Sequence, residues 1–266
     1  MKNVLLLIHD DDGQEARLEV ALDVVRAIGG HLTCLDVAVY TVLAGDDYGA
    51  GSATLYADEC TREAKNKATL ERRLEGERLP WNWIDANGSL APSLIDAAGL
   101  TDLIIINRKL DNFPAPDMLG VAGEVLLHAA KPLLAVPDTA TGLNLAGHAM
   151  IAWDGSASSK EALRLAVPLL RLAECVTILE IDDGSVTVPG EQAMAYLAEN
   201  DIIASLHPKH TLFEDAGRDI LREVTTRAPD YLVMGGYGHS RMREAIFGGV
   251  TRDLLTSCPV PLLLVH

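Results

Sequence analysis

The chain has 266 residues, 48% of them hydrophobic and 23% charged, a globular composition long enough for two ordinary domains. A formal charge of -16 with no long basic stripe excludes nonspecific binding to nucleic-acid phosphates. Apolar runs such as 103–106 and 262–265 fall far below the roughly 20 residues of a membrane helix, and Met1-Lys2 leads straight into a strand-like segment, so a soluble, unprocessed cytoplasmic protein with no membrane partner is expected.

Strands are predicted at 3–8, 31–38, 81–86, 102–107 and 133–136, with segments of helical period between them. The small, polar stretch 138–147, "DTATGLNLAG", then suits a linker. Beyond it the pattern repeats, with strands at 149–153, 175–181, about 202–207, 231–235 and 262–265. Individual lines match: "TDLIIIN" beside "PDYLVMG", "AAKPLLAVP" beside "PVPLLLVH", and "HLTCLDV" beside "CVTILEI". A repeat of this length implies two copies of one doubly wound α/β domain, assigned to residues 1–140 and 147–266. The first copy carries roughly 15 extra residues near 40–56, a Gly-rich connection expected to be a surface insertion rather than a mobile lid.

Within the second copy, "SSKE" places Ser158 three residues before Glu161, the spacing of a capping box, and Ala162, Leu165, Ala166 and Leu169 form the buried stripe of the helix that follows. Cys34, Cys60, Cys175 and Cys258 show no CxxC pair and are expected as buried thiols. Asp10-Asp11-Asp12 is more economically a capping turn than a Mg²⁺ site, because consecutive side chains diverge. His207 and His210 in "HPKH" suit a surface loop, and no metal ligand is assigned. Trp81, Trp83 and Trp153 are expected to pack, and adjacent His239 and Ser240 make no nucleophile-base pair.

The most informative stretch is 235–255, "GGYGHSRMREAIFGGVTRDLL". A strand ending near Gly235 delivers the chain to the carboxyl edge of a parallel sheet, where open α/β folds bind ligands. Glycines there allow close backbone approach, and a helix opening at Gly248-Gly249 would aim free amides at an anion, with roughly 0.3–1 kcal/mol from its dipole. Arg241, Arg243 and Arg252 add positive charge to an acidic protein. From the glycines alone, a phosphate cradle and plain strand-to-helix turns remain equally open. No GxxxxGK[ST] or GxGxxG motif is present.

The pattern Gly235-x2-Gly238-x9-Gly248 followed by Val250-Thr251, with Asp154-Gly155-Ser156 ending the first strand of the second copy, resembles the universal stress protein family, tandem type. The resemblance implies two Rossmann-like (adenine nucleotide alpha hydrolase-like) domains, each a five-stranded parallel sheet with helices on both faces, meeting along their last strands as an internal pseudo-dimer that could pair again as a homodimer. It implies ATP, with Mg in some members, held by Asp154 at the nucleoside, Val176 near the base, and Gly235, Gly238, Gly248, Gly249, Val250 and Thr251 around the phosphates, with Arg241 neutralising charge. It also implies a stress-response regulatory role through protein partners not identified by the sequence. Gly249 stands where ATP-binding members usually carry Ser or Thr; one lost hydroxyl hydrogen bond is worth about 1–1.5 kcal/mol, or about tenfold in affinity. In the first copy Asp10 and Gly120 match Asp154 and Gly248, but Asn107 and Leu110 replace Gly235 and Gly238, and Pro114 and Pro116 interrupt the next helix, so this half is expected not to bind ATP. No dedicated catalysis is expected, at most slow ATP hydrolysis. The alternative is an interaction module of the same fold that binds no nucleotide.

Overall fold

A computed structural model describes residues 1–39, 50–108, 117–182, 186–210, 216–236 and 249–266. The first half runs β1 (Asn3–Ile8), α1 (Gln14–Ile28), β2 (His31–Val39), α2 (Ala50–Gly76), β3 (Trp81–Gly88), α3 (Leu90–Ala97), β4 (Leu103–Asn107), α4 (Met118–His128) and β5 (Leu133–Val136). The second runs β6 (His148–Trp153), α5 (Ala157–Leu170), β7 (Cys175–Asp182), α6 (Gly190–Glu199), β8 (Ala204–His210), α7 (Ala216–Arg227), β9 (Tyr231–Gly235), α8 (Gly249–Ser257) and β10 (Leu262–Val265).

All ten strands form one sheet in the order β3-β2-β1-β4-β5-β10-β9-β6-β7-β8. Pairing within each half is parallel; the halves join through antiparallel β5 and β10, with Leu134 opposite Leu263. Strands buried on both faces read as continuous apolar runs, which explains "LIIIN" and "LLLV". Side-chain alternation then divides the core into two layers. Leu6, Ile105, Ile151 and Val233 meet the face of α1, α2, α5 and α6, while Leu7, Ile104, Met150 and Leu232 meet the face of α3, α4, α7 and α8.

Three local differences from the sequence reading have physical causes. Strand β8 begins only after the apolar Ile202-Ile203 pair, whose second member is 94% exposed, and ends three residues later than expected, at His210. Pro208 therefore sits within an edge strand rather than a loop, where a missing ladder donor is tolerated. The linker is not wholly polar in role, since Leu143 and Leu145 are buried in the core and Leu143 N–H donates to Asp23 at 2.9 Å. Of the four cysteines, all free, Cys34 and Cys258 are buried as expected, but Cys60 is half-buried and Cys175 exposed.

The extra length of the first half goes largely into a helix. Helix α2 spans 27 residues against 10 in α6, the helix at the same topological place. Residues 50–56 of the expected Gly-rich connection form its first turns, while 40–49 lie outside the described residues.

Candidate functional site

In each half the chain leaves its first strand toward one neighbour and returns to the other, so a crevice opens at the carboxyl ends of β6 and β9, and of β1 and β4. The two crevices hold different residues.

At the second, β6 ends in Trp153 and the chain turns through Asp154-Gly155-Ser156. Asp154 Oδ1 accepts the Ser156 N–H at 2.9 Å, an Asx-type turn, and Gly155 takes a left-handed φ of 71°. Ser156 caps α5, its hydroxyl accepting the Ser159 N–H at 3.2 Å. The cap thus lies two residues before the expected Ser158, because the Asx turn brings Ser156 to the helix end; Glu161 pairs with Arg164 instead of closing a box.

Residues 186–189 form a strap over this turn. Thr187 N–H donates to the Asp154 carbonyl at 3.1 Å, Thr187 Oγ1 to the Gly155 carbonyl at 2.6 Å, and Trp153 Nε1 to the Val188 carbonyl at 2.9 Å. A Cβ on Gly155 would collide with Val188 N and lie 2.6 Å from Val188 O. Trp153 is therefore a packed residue with a satisfied indole N–H, as expected.

The glycines of β9 answer to protein neighbours. A Cβ on Gly235 would stand 2.5 Å from Ser159 N and 2.6 Å from Ser158 C, so the first turn of α5 seats directly on the strand. A Cβ on Gly236 would meet Leu126 Cδ2 of α4 at 2.6 Å, where the first half packs against the second. Close packing accounts for both missing side chains without a ligand. Gly249 differs: among the described residues, nothing beyond its chain neighbours and its own helix lies within 4 Å of its Cβ position, at the exposed first residue of α8. Val250 is half-buried against the core and Thr251 is buried. Gly238, Arg241 and Gly248 lie outside the described residues, as do Leu110, Pro114, Pro116, His239, Ser240 and Arg243.

Val176 is not at this crevice. It is the second residue of β7, pairs with Ala149 and Ala204 and is 3% exposed, at the amino end of the strand. The register sets Glu180 beside Trp153, so the carboxyl end of β7 contributes Glu180 and Ile181. Four residues of strand at about 3.3 Å each separate the two positions. Glu180 is engaged, accepting the Gly190 N–H at the start of α6.

The first crevice is polar and internally paired. Arg17, 0% exposed, donates to the Leu7 carbonyl at 3.1 Å, to the His9 carbonyl at 3.0 Å and to both oxygens of Asp11 at 2.9 and 2.7 Å. Asp11 also accepts the Gly13 N–H at 2.7 Å, so the acidic triplet is a turn locked by a buried arginine. His9, at the position of Trp153, faces Glu59 and Glu63 of α2. Burial alone would raise the Glu63 carboxyl, but His9, the Asp10 amide and Asn66 hold it below the usual range. Burial, then Glu63 and Asp85, push nearby Asp36 up to about 7, against the opposing pull of His9 and Lys67. Asn107, 0% exposed, stands where β9 has Gly235, and among the described residues neither its amide oxygen nor its nitrogen has a hydrogen-bond partner.

The sequence reading singled out none of His9, Glu59, Glu63 or Arg17, whose partners are set by the fold; only Arg17, six residues after Asp11, has a local cue. His207 and His210 do not converge: His207 lies against Arg227 at 3.4 Å, and His210 pairs with Asp182 at 2.9 Å. Trp81 and Trp83 pack on the core, with Lys67 5.3 Å from the Trp83 ring. Among the described residues no helix is long and apolar enough to cross a membrane.

Comparison with known proteins adds its similarities. Residues 147–266 match the model of the Universal stress protein family. A universal stress protein of Synechocystis sp. strain PCC 6803 is 26% identical over 289 residues, covering 99% of both chains. A universal stress protein structure from Archaeoglobus fulgidus DSM 4304 superposes with a TM-score of 0.76 at 18% identity, over 99% of this chain and 96% of that one. A functionally unknown protein from Pseudomonas aeruginosa PAO1 superposes with a TM-score of 0.64 at 16% identity, over 100% and 92% of the two chains. At these identities the structural likenesses show the shared α/β fold. Residues 147–266 thus resemble the universal stress protein family, and the whole chain is similar to one universal stress protein from end to end.

Proposed function

We propose that the chain is a tandem universal stress protein, with domains at residues 1–140 and 147–266, whose second domain binds an adenine nucleotide and whose bound state alters its contacts with protein partners. The observation that carries this reading is the pairing, at one strand-order switch, of the Asp154 turn with a helix beginning at Gly249, beside which no described side chain lies within 4 Å. The residues present fit such a ligand. In this reading the Asp154 carboxylate accepts from nucleoside hydroxyl or amine groups, and the first amides of α8 at Gly249, Val250 and Thr251 donate to phosphate oxygens. Arg241 and the backbone of Gly238 and Gly248 complete this assignment from the family resemblance. ATP, with Mg²⁺, is the nucleotide proposed. Its role is as a bound signal, with no general base assigned and hydrolysis slow at most, in a cytoplasmic protein.

The second reading is an interaction module of the same fold that takes no nucleotide. Two observations favour it: the strap at 186–189 already covers the Gly155 turn, and Gly249 supplies no hydroxyl. Thermal unfolding with and without millimolar Mg-ATP separates the readings. Under the first, ATP raises the midpoint of the native chain and of Gly249→Ser, the latter at about tenfold lower concentration, but not of Asp154→Ala. No shift in any of the three supports the second.

A further inference from the structure

Among the described residues, one set of three side chains brings ligand atoms of metal-binding type together: His9, Glu59 and Glu63, all within 4.8 Å of one another. His9 Nδ1 lies 3.0 Å from Glu63 Oε1 and 3.6 Å from Glu59 Oε1. Tetrahedral zinc with bonds of about 2.0 Å spaces its ligand atoms about 3.3 Å apart, between these two values.

A second observation concerns the bonding of the histidine. His9 is 4% exposed, and its Nδ1, though close to Glu63, makes no aligned hydrogen bond. If Nδ1 carries a proton, the N–H misses the carboxylate; if it does not, a lone pair faces carboxylate oxygens at 3.0 Å. The first is held by charge alone, as an ion pair with Glu63 and Glu59, and the second sets a lone pair against negative oxygens; a cation between the three groups gives each of these atoms a bonding partner.

The surroundings are also those of a held ligand set. Glu63 accepts the Asp10 N–H at 3.2 Å on one oxygen and Asn66 Nδ2 at 3.2 Å on the other, and Asn66 is fixed by a reciprocal amide pair with Gln14 at 2.7 and 2.8 Å. Arg62 pairs with Glu59 from the outer side and stands 3.8 Å from Glu63 and 3.9 Å from Asp10, so it neutralises the rim. The long α2, present only in the first half, is what carries Glu59 and Glu63 to the end of β1.

We propose that His9 Nδ1, Glu59 and Glu63 form a binding site for one divalent transition-metal ion of the zinc type, with water at the remaining position, pinning α2 to the β1–α1 turn. The site is independent of any nucleotide in the other half. An imidazole with two carboxylates suits Zn²⁺ or Co²⁺ better than Ca²⁺, which prefers an all-oxygen set of six to eight ligands.

The test uses the full chain stripped of metal with a chelator, then titrated with Co²⁺ followed by its visible absorption and with Zn²⁺ by calorimetry. One ion per chain is expected, with a d–d band of low-coordinate cobalt that Zn²⁺ displaces. His9→Gln and Glu59→Gln should each abolish the band, while Asn66→Ala, which frees Glu63, should weaken binding about 10- to 100-fold. Circular dichroism checks that each variant is folded; Glu59→Gln changes a half-buried side chain on a helix face and serves if His9→Gln does not fold. His210→Gln, which removes the His210–Asp182 pair elsewhere in the chain, should leave the stoichiometry at one. Absence of uptake by the native chain, or uptake unchanged in folded Glu59→Gln, would overturn the assignment.

Discussion

At the end of β1 the chain turns through Asp10–Gly13 under a buried arginine, whereas at the end of β6 it turns through Asp154-Gly155 and hands over to serine caps. The position of Arg17 in the repeat is Glu161 in the second half, a surface residue paired with Arg164. Beside these turns, the first half fills its crevice with Asn107 and with His9 against α2; the second leaves glycine at β9 and lays a short strap across the turn. One backbone topology therefore supports a charge-rich, internally closed crevice and a small-residue, partly open one. Position in the fold marks where a ligand can bind, and the side chains at that edge decide whether one does.

The sharpest way to break this contrast is to remove the arginine. Arg17→Met strands the buried Asp11 charge and two carbonyls, and should cost about 3–5 kcal/mol in urea unfolding. Glu161→Ala, its counterpart, should leave the midpoint unchanged. Equal effects would mean that the two turns are not held by different means.

The glycines give a graded series. Gly235→Ala drives a Cβ into the backbone of α5, which cannot swing away, and should cost about 1–3 kcal/mol. Gly236→Ala meets only the tip of Leu126 and should cost less, because a leucine rotamer can yield. Gly249→Ala meets no described side chain and should leave stability within about 0.5 kcal/mol. Denaturation midpoints ordered otherwise would contradict the assignment of Gly235 and Gly236 to packing and of Gly249 to an open site. Smallest of all is Asn107→Leu: a side chain of similar volume without orphan polar atoms should be neutral or slightly stabilising by the same assay.

Much of the architecture was legible because apolar periodicity reports burial directly. Four of the ten strands start and end where the sequence placed them, and β8 slipped because an exposed Ile203 looked like core while Pro208 looked like a loop. The site was less legible for a general reason. A glycine in sequence does not say what lies beside it: at Gly235 it is the first turn of a helix, at Gly236 a leucine of the neighbouring half, and at Gly249 no described side chain within 4 Å. Val176 was misplaced because motif resemblance carries no register, while Trp153 opposite Glu180 fixes it. His9, Glu59 and Glu63 carry no local signature, since about fifty residues separate the histidine from glutamates that only the extension of α2 brings to it.

The central claim is that one crevice of the two takes an adenine nucleotide. Calorimetric titration of Mg-ATP into the ligand-free full chain, with Gly238→Asp in parallel, tests it most directly. The account predicts saturation at one nucleotide per chain, lost in the variant. Two sites per chain, an undiminished site in Gly238→Asp, or no heat up to millimolar ATP would contradict it.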